Sequence, residues 1–268
     1  MPLFQLILIA LIQGITEFLP VSSSGHLILL PGLTGLEDQG QVIDVAVHVG
    51  TLAAVVLFFW QDVRTGLIGL PRALAGRLDT PGAQLAMGLI VATIPTVLFG
   101  AFLHFSGLSD ALRSMKVIGW TMLGFGIVLY MADRYGRIHK QSSDWHLRDA
   151  LIMGLWQMLA LIPGTSRSGI TITGARQLGY TRMDAARISM LMSIPTIVAS
   201  AVLLGTEVAI EAKPAVIRDA VIAAALAMIA ALGALTLMMR LLRTVSFTPY
   251  VIYRVILGTI LLMIAYQT

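Results

Sequence analysis

The side chains able to do chemistry in this chain gather in two short stretches. The first reads Gln13-Gly-Ile-Thr-Glu17-Phe-Leu-Pro-Val-Ser22-Ser23-Ser24-Gly25-His26, the second Ile162-Pro-Gly164-Thr165-Ser166-Arg167-Ser168-Gly169-Ile-Thr171. Gln13 and Glu17 are four apart, so a helix presents both on one face, and Pro20 helps to end that helix. Arg167 is charged at any physiological pH, and its planar fork of donors suits phosphate oxygens. Gly164 and Gly169 let the backbone approach a ligand, while Thr165, Ser166, Ser168 and Thr171 supply hydroxyls. A half-helix starting near Gly169 adds free N–H groups, and together these make a phosphate cradle. The plainer reading is that Arg167 snorkels to an interface or pairs with Glu17. Glu17 is either that ion-pair partner or a metal ligand. A carboxylate beside a phosphate is repulsive unless a divalent cation or a proton lies between them, so a phosphate site holding both favours Mg²⁺ or Ca²⁺. His26 suits a general acid or base near neutral pH, although a lone histidine is more often a satisfied core residue. Ser22, Ser23 and Ser24 offer a nucleophile, or cap the turn that follows.

The elements that must hold these groups are membrane helices. The chain of 268 residues is 57% hydrophobic and 12% charged, against roughly 25% charged in soluble domains. It is an integral membrane protein. With no cysteine, disulfides, thiolate metal sites and a cysteine nucleophile are excluded. The net charge of +4 is small and reads as topology rather than nucleic-acid binding. The apolar run from Leu3 to Ile12 lacks a basic leader and a small-residue cleavage site, so it is expected to be retained. Segments near 42–60, 84–104, 115–132, 186–206, 216–239 and 249–266 approach or reach the roughly 20 apolar residues of a span. The stretches near 3–12 and 149–163 are too short. Each is followed by a proline, a Ser/Thr/Gly cluster and a second short apolar run, which suits a re-entrant helix pair.

Those two stretches also resemble each other. Ala10-Leu-Ile-Gln-Gly-Ile-Thr-Glu17 aligns with Ala150-Leu-Ile-Met-Gly-Leu-Trp-Gln157, and Pro20 to Gly25 answers Pro163 to Gly169. Three candidate spans follow each copy. The expected fold is therefore all-α and polytopic: one integral membrane domain, 1–268, of six transmembrane helices and two re-entrant pairs, duplicated at about 1–140 and 141–268. An odd number of crossings per unit inverts the second copy, so the polar interruptions meet near the midplane. Arg64, Arg72, Arg77, Arg134, Arg137, Lys140, Arg148, Arg240 and Arg243 fall on one side, and Arg113, Lys116, Lys213 and Arg218 on the other. The richer set belongs in the cytoplasm, which leaves both termini outside. The connection 133–148 joins the copies, with His139 and His146 as solvated loop residues. Asp44 and His48, four apart at the start of the first span, either close off the site or satisfy each other at the membrane edge. Pro95 and Pro195 fall inside spans and are expected to kink them.

These motifs resemble the undecaprenyl pyrophosphate phosphatases, also called bacitracin-resistance proteins. The likeness is carried by Gln13-x-x-x-Glu17 with Phe-Leu-Pro-Val-Ser-Ser-Ser-Gly-His26, and by Pro163 to Gly169; it extends to Asp44–Thr51 and Ser246–Arg254. It implies a bacterial inner-membrane hydrolase that removes the terminal phosphate of undecaprenyl pyrophosphate, yielding the carrier lipid of peptidoglycan synthesis, with an active site opening outward. By motif position Glu17 is the family's acidic signature, Ser23 the proposed nucleophile, His26 the essential histidine and Arg167 the phosphate-binding arginine, with Ser166 and Thr171 beside it. Gln13 stands where some members carry glutamate, so it offers a cation only a carbonyl oxygen and leaves Glu17 as the sole acidic ligand. The expected partners are a polyprenyl pyrophosphate and membrane lipid, with no nucleic acid and a homodimer left open. The alternative from another class is a flippase or transporter of the same lipid, since broken helices meeting at mid-depth are typical of transporters.

Overall fold

The computed structural model describes residues 1–211 and 214–267, and it is all-α. Lys213, counted above among the outer basic residues, lies outside the described residues, as does Thr268. In chain order the helices are α1 (Leu3–Thr16), α2 (Ser23–Thr34), α3 (Gly40–Phe58), α4 (Trp60–Leu74), α5 (Pro81–Ser106), α6 (Leu108–Ala111), α7 (Met115–Tyr135), α8 (Leu147–Met158), α9 (Arg167–Gln177), α10 (Arg182–Glu211), α11 (Pro214–Leu241) and α12 (Thr248–Gln267). Six of them, α3, α5, α7, α10, α11 and α12, are long and apolar enough to cross a membrane, matching the expected spans. At 1.5 Å per residue, α1, α2, α8 and α9 reach only about 16 to 21 Å, short of the roughly 30 Å hydrocarbon layer.

Small residues decide how these helices pack, because in lipid association depends on close backbone approach rather than apolar burial. α1 lies on α11 and α8 lies on α5. A side chain at Gly14 would sit 2.6 Å from Ala230 Cβ, and one at Gly154 would sit 2.5 Å from the Ala92 carbonyl oxygen. These two glycines are the aligned positions of the two sequence copies. α7 pairs with α12, and α10 touches α3, α5 and α9.

One element differs from expectation. The stretch carrying Arg64 and Arg72, which lies between two expected spans and enters the sequence reading only through its charges, is the helix α4. It buries Gly66, Gly69 and Ala73 against α5 and exposes Trp60, Leu67, Ile68 and Leu74. Alternation of small, bulky apolar and charged positions at helical period is what an amphipathic surface helix requires.

At the same end of the molecule, buried Asp133 of α7 accepts from Arg176 Nε at 3.1 Å, Arg182 Nε at 2.8 Å and the Phe247 N–H at 3.2 Å. The segments around 176–182 and 247 are thereby tied to one carboxylate of α7. The connection 136–146 is pinned beside this cluster, with Lys140 Nζ 2.7 Å from Asp149 and the Lys140 N–H on the Gly179 carbonyl. Burial first, and then its bond to Asp149, pushes the Tyr180 hydroxyl above the ordinary phenol range, so it stays a donor. His139 and His146 on this connection are exposed, as a loop reading requires.

Candidate active site

Both breaks are built on the same local device. Ser22 and Ser166 hold positive φ, 75° and 69°, which residues with a side chain seldom adopt. Each caps the helix that follows: Ser22 Oγ accepts from the Gly25 N–H at 3.3 Å, and Ser166 Oγ from the Gly169 N–H at 3.1 Å. A serine cap satisfies one N–H that the first turn leaves without an intrahelical acceptor. The strained φ turns the chain sharply enough to start α2 and α9 immediately after Pro20-Val and Pro163-Gly-Thr. Ser168 Oγ donates to the Leu19 carbonyl at 2.9 Å and so joins the second break to the first.

At that junction Glu17, one turn beyond Gln13 at the end of α1, meets Arg167 at the start of α9. Arg167 Nη2 donates to Glu17 Oε1 at 2.9 Å across 150 residues of sequence. The other oxygen, Oε2, accepts from Ser23 Oγ at 2.6 Å and from Gln13 Nε2 at 3.0 Å. His48 Nδ1 is 2.7 Å from the Asp44 carbonyl, which fixes that nitrogen as a donor and aims Nε2 at Glu17, 3.9 Å away. The Asp44 carboxylate instead accepts from Gln39. Asp44 and His48 therefore do not satisfy each other through their side chains, and both face the site.

These groups line a cavity of about 580 Å³. Glu17, Ser22, Ser23, Ser24, Ser166 and Arg167 form its reactive wall. Asp38 and Arg113, from the connections before α3 and α7, flank the mouth with Gln41 in the first turn of α3, and Thr96, Thr196 and Ser200 of the spans add a polar wall with Gln157 of α8. Apolar positions Val45, Leu161, Ile197 and Ala201 complete the lining.

The other residues singled out in the sequence lie behind this surface. Gly164, at φ 86°, lets the chain pass α7, where a Cβ would fall 2.3 Å from Thr121 Oγ1. Gly169 makes room for Arg254 in the same way. Both glycines thus face protein neighbours. Thr165 and Ser168 are fully buried, and the Thr171 hydroxyl lies 2.6 Å from Ser189 Oγ on α10. His26 also turns from the cavity. Its Nδ1 is 2.6 Å from the Ser22 carbonyl, which can only accept, so in the neutral ring Nε2 accepts from the Tyr253 hydroxyl at 2.5 Å.

Sequence reading passed over Gln157, Tyr253 and Arg254. The first was legible as the aligned counterpart of Glu17. It is fully buried, gives Nε2 to Thr196 at 3.0 Å and Thr96 at 3.3 Å, and leaves Oε1 without a protein donor. Arg254 and Tyr253 fell within a C-terminal motif that carried no chemistry of its own.

The family model described as Bacitracin resistance protein BacA matches residues 6–260. The chain belongs to this family. The undecaprenyl-diphosphatase of Ruegeria sp. (strain TM1040) is 79% identical over 99% of this chain and 100% of its own length. That of Ruegeria pomeroyi is 77% identical over the whole of both chains, and undecaprenyl-diphosphatase 1 of Rhodospirillum rubrum is 47% identical over 99% and 96%. The matched span includes both breaks.

Proposed function

We propose that the chain hydrolyses undecaprenyl diphosphate to undecaprenyl phosphate and inorganic phosphate, returning the lipid carrier to peptidoglycan synthesis. The observation that carries this reading is the junction of the breaks: an acid from one, an arginine from the other and a serine hydroxyl held on the acid, all facing one cavity. Arg167 offers its fork to the terminal phosphate, with the Ser166 and Ser24 hydroxyls beside it. Ser23 Oγ attacks the terminal phosphorus, the bond to the bridging oxygen breaks, and undecaprenyl phosphate leaves with that oxygen. The Ser23 proton passes to Glu17, whose Oε2 already accepts its hydrogen bond at 2.6 Å. Water then attacks the phosphoserine phosphorus, the P–Oγ bond breaks, Glu17 gives its proton back to Ser23 Oγ, and inorganic phosphate leaves with the water's oxygen and protons. With Nε2 on Tyr253, His26 serves this sequence by fixing the first turn of α2 rather than by taking the Ser23 proton.

The acidic side of the site suits a hard divalent cation, Mg²⁺ or Ca²⁺. Gln13 Oε1 is buried without a protein donor beside the Glu17 carboxylate, and an amide oxygen with a carboxylate is the oxygen chemistry such ions choose. Among the described residues no three acidic or histidine side chains are gathered, which fits an ion sharing its shell with phosphate and water. When bound, the ion would offset the repulsion between Glu17 and the diphosphate.

In this reading 1–140 and 141–268 are inverted repeats with re-entrant pairs α1–α2 and α8–α9. The matched serine caps, and the reciprocal packing of α1 on α11 and α8 on α5, support it. The chain sits in the bacterial inner membrane with both termini outside. The mouth residue Arg113 belongs to the side poor in basic residues, so the cavity opens outward. The isoprenoid leaves along the apolar wall.

Purified protein in detergent, given undecaprenyl diphosphate, should release phosphate without a sealed membrane, whereas a flippase would not. Excess chelator should stop turnover; persistence would strip Glu17 and Gln13 of the proposed ion.

A further inference from the structure

Arg254 on α12 is fully buried, and among the described residues no carboxylate lies within ion-pair distance of it. A lone guanidinium inside a membrane protein is costly, so what surrounds it has to offset the charge. It is surrounded by backbone oxygens. Nη2 donates to the Thr165 carbonyl at 2.8 Å and to those of Gly164 and Thr121 at 3.2 Å, and Nε donates to the Met122 carbonyl at 3.2 Å. Nη1 has no acceptor and lies directly under Gly169, 2.8 Å from where a Cβ would stand.

This arrangement sets the polarity of the second break. All peptides here are trans, so the C=O and N–H of one unit point in opposite directions. Drawing the Thr165 carbonyl toward Arg254 turns the Ser166 N–H to the opposite side, where the Ser166 side chain lines the cavity. Among the described residues the N–H groups of Ser166, Arg167 and Ser168 have no backbone acceptor outside α9, and they open the helix. Arg167 is neutralised by Glu17, which leaves Arg254 as the uncompensated positive charge behind the turn.

Resting on the phosphatase reading above, we propose that Arg254 is a positioning residue for the phosphate-binding turn. It aims the N–H groups of Ser166 and Arg167 at the terminal phosphate and supplies the positive potential that the Glu17–Arg167 pair cancels. Among the described residues no arginine or lysine bonds to the carbonyls of the first break, so the two breaks divide the work: one deprotonates, the other holds the anion.

The test uses full-length protein in detergent, with undecaprenyl diphosphate as substrate and inorganic phosphate as competing ligand. Arg254→Met should lower kcat/KM by about 100-fold, the scale of losing an aligned anion donor, with inhibition by inorganic phosphate weakened about 10-fold. Arg254→Lys keeps the charge without the fork and should recover part of both. A purely structural brace would lower the melting temperature and leave the phosphate inhibition constant and the KM-to-kcat balance of Arg254→Lys at wild-type values. That result overturns the proposal even if Arg254→Met fails to insert. Arg254→Met within about 3-fold of wild type also overturns it. A wild-type chain that releases no phosphate sinks the underlying phosphatase reading instead.

Discussion

The two helix breaks have the same backbone and opposite chemistry. Both place a serine at positive φ, both cap a glycine N–H three residues on, and both pair that serine with the hydroxyl two residues later, at 3.5 Å for Ser22 and Ser24 and 3.3 Å for Ser166 and Ser168. What separates them is the charge at the junction and the side chain that backs them from α12. The first break brings a carboxylate with a serine bonded to it and is backed by Tyr253 through His26. The second brings a guanidinium and is backed by Arg254 through its own carbonyls. Two breaks of one backbone pattern thus carry charges of opposite sign, and their caps aim those charges at each other.

Breaking the comparison on its cationic partner should cost most. Arg167→Ala leaves Glu17 buried without its counter-charge and the phosphate without its fork, so phosphate release should fall by about 1,000-fold or more while the protein still inserts. Residual turnover near wild type would remove the arginine from the reaction. On the acidic side Glu17→Gln keeps the shape but loses the acceptor for the Ser23 proton, and single-turnover rates should fall about 100-fold. Combining the two changes should cost much less than the product of the single losses, because each disables the same junction; simple multiplicativity would separate their roles.

The backbones can be compared directly. Gly164→Ala forces a side chain into φ 86° against Thr121 and should destabilise the fold by about 2 kcal/mol or more, read from thermal unfolding in detergent. Ser22→Ala should cost only about 1 kcal/mol, the ordinary value of a lost cap. If the two changes cost the same, the second break is not the more tightly constrained one. The smallest effect is expected from Tyr253→Phe, which removes one hydrogen bond to a half-exposed His26 and should change kcat by less than about 10-fold. A loss as large as that of Glu17→Gln would return His26 to the proton path.

Much of this was legible before any coordinates. Six spans follow from apolar length, and the breaks follow from proline, serine and glycine interrupting apolar runs. Glu17 opposite Arg167 follows from two charges that lipid would not tolerate alone. α4 was missed because its exposed apolar face and its charges nearly cancel in average hydropathy, which registers amount and not side. His26 was placed by its neighbours in sequence, yet a left-handed cap reverses which way the next turn faces, so Ser23 meets Glu17 while His26 meets α12.

By itself the sequence determined the apolar character of this protein, the number of helices long and apolar enough to span a membrane and the places where the helices stop. Each depends on residues within a turn or a span of one another. The tertiary structure decided which hydroxyl touches the carboxylate, which glycines face protein, and that Arg254, 89 residues beyond Thr165, orients its carbonyl. Those outcomes rest on the direction of single bonds at strained turns. The partners that fix such directions come from helices no local pattern can specify.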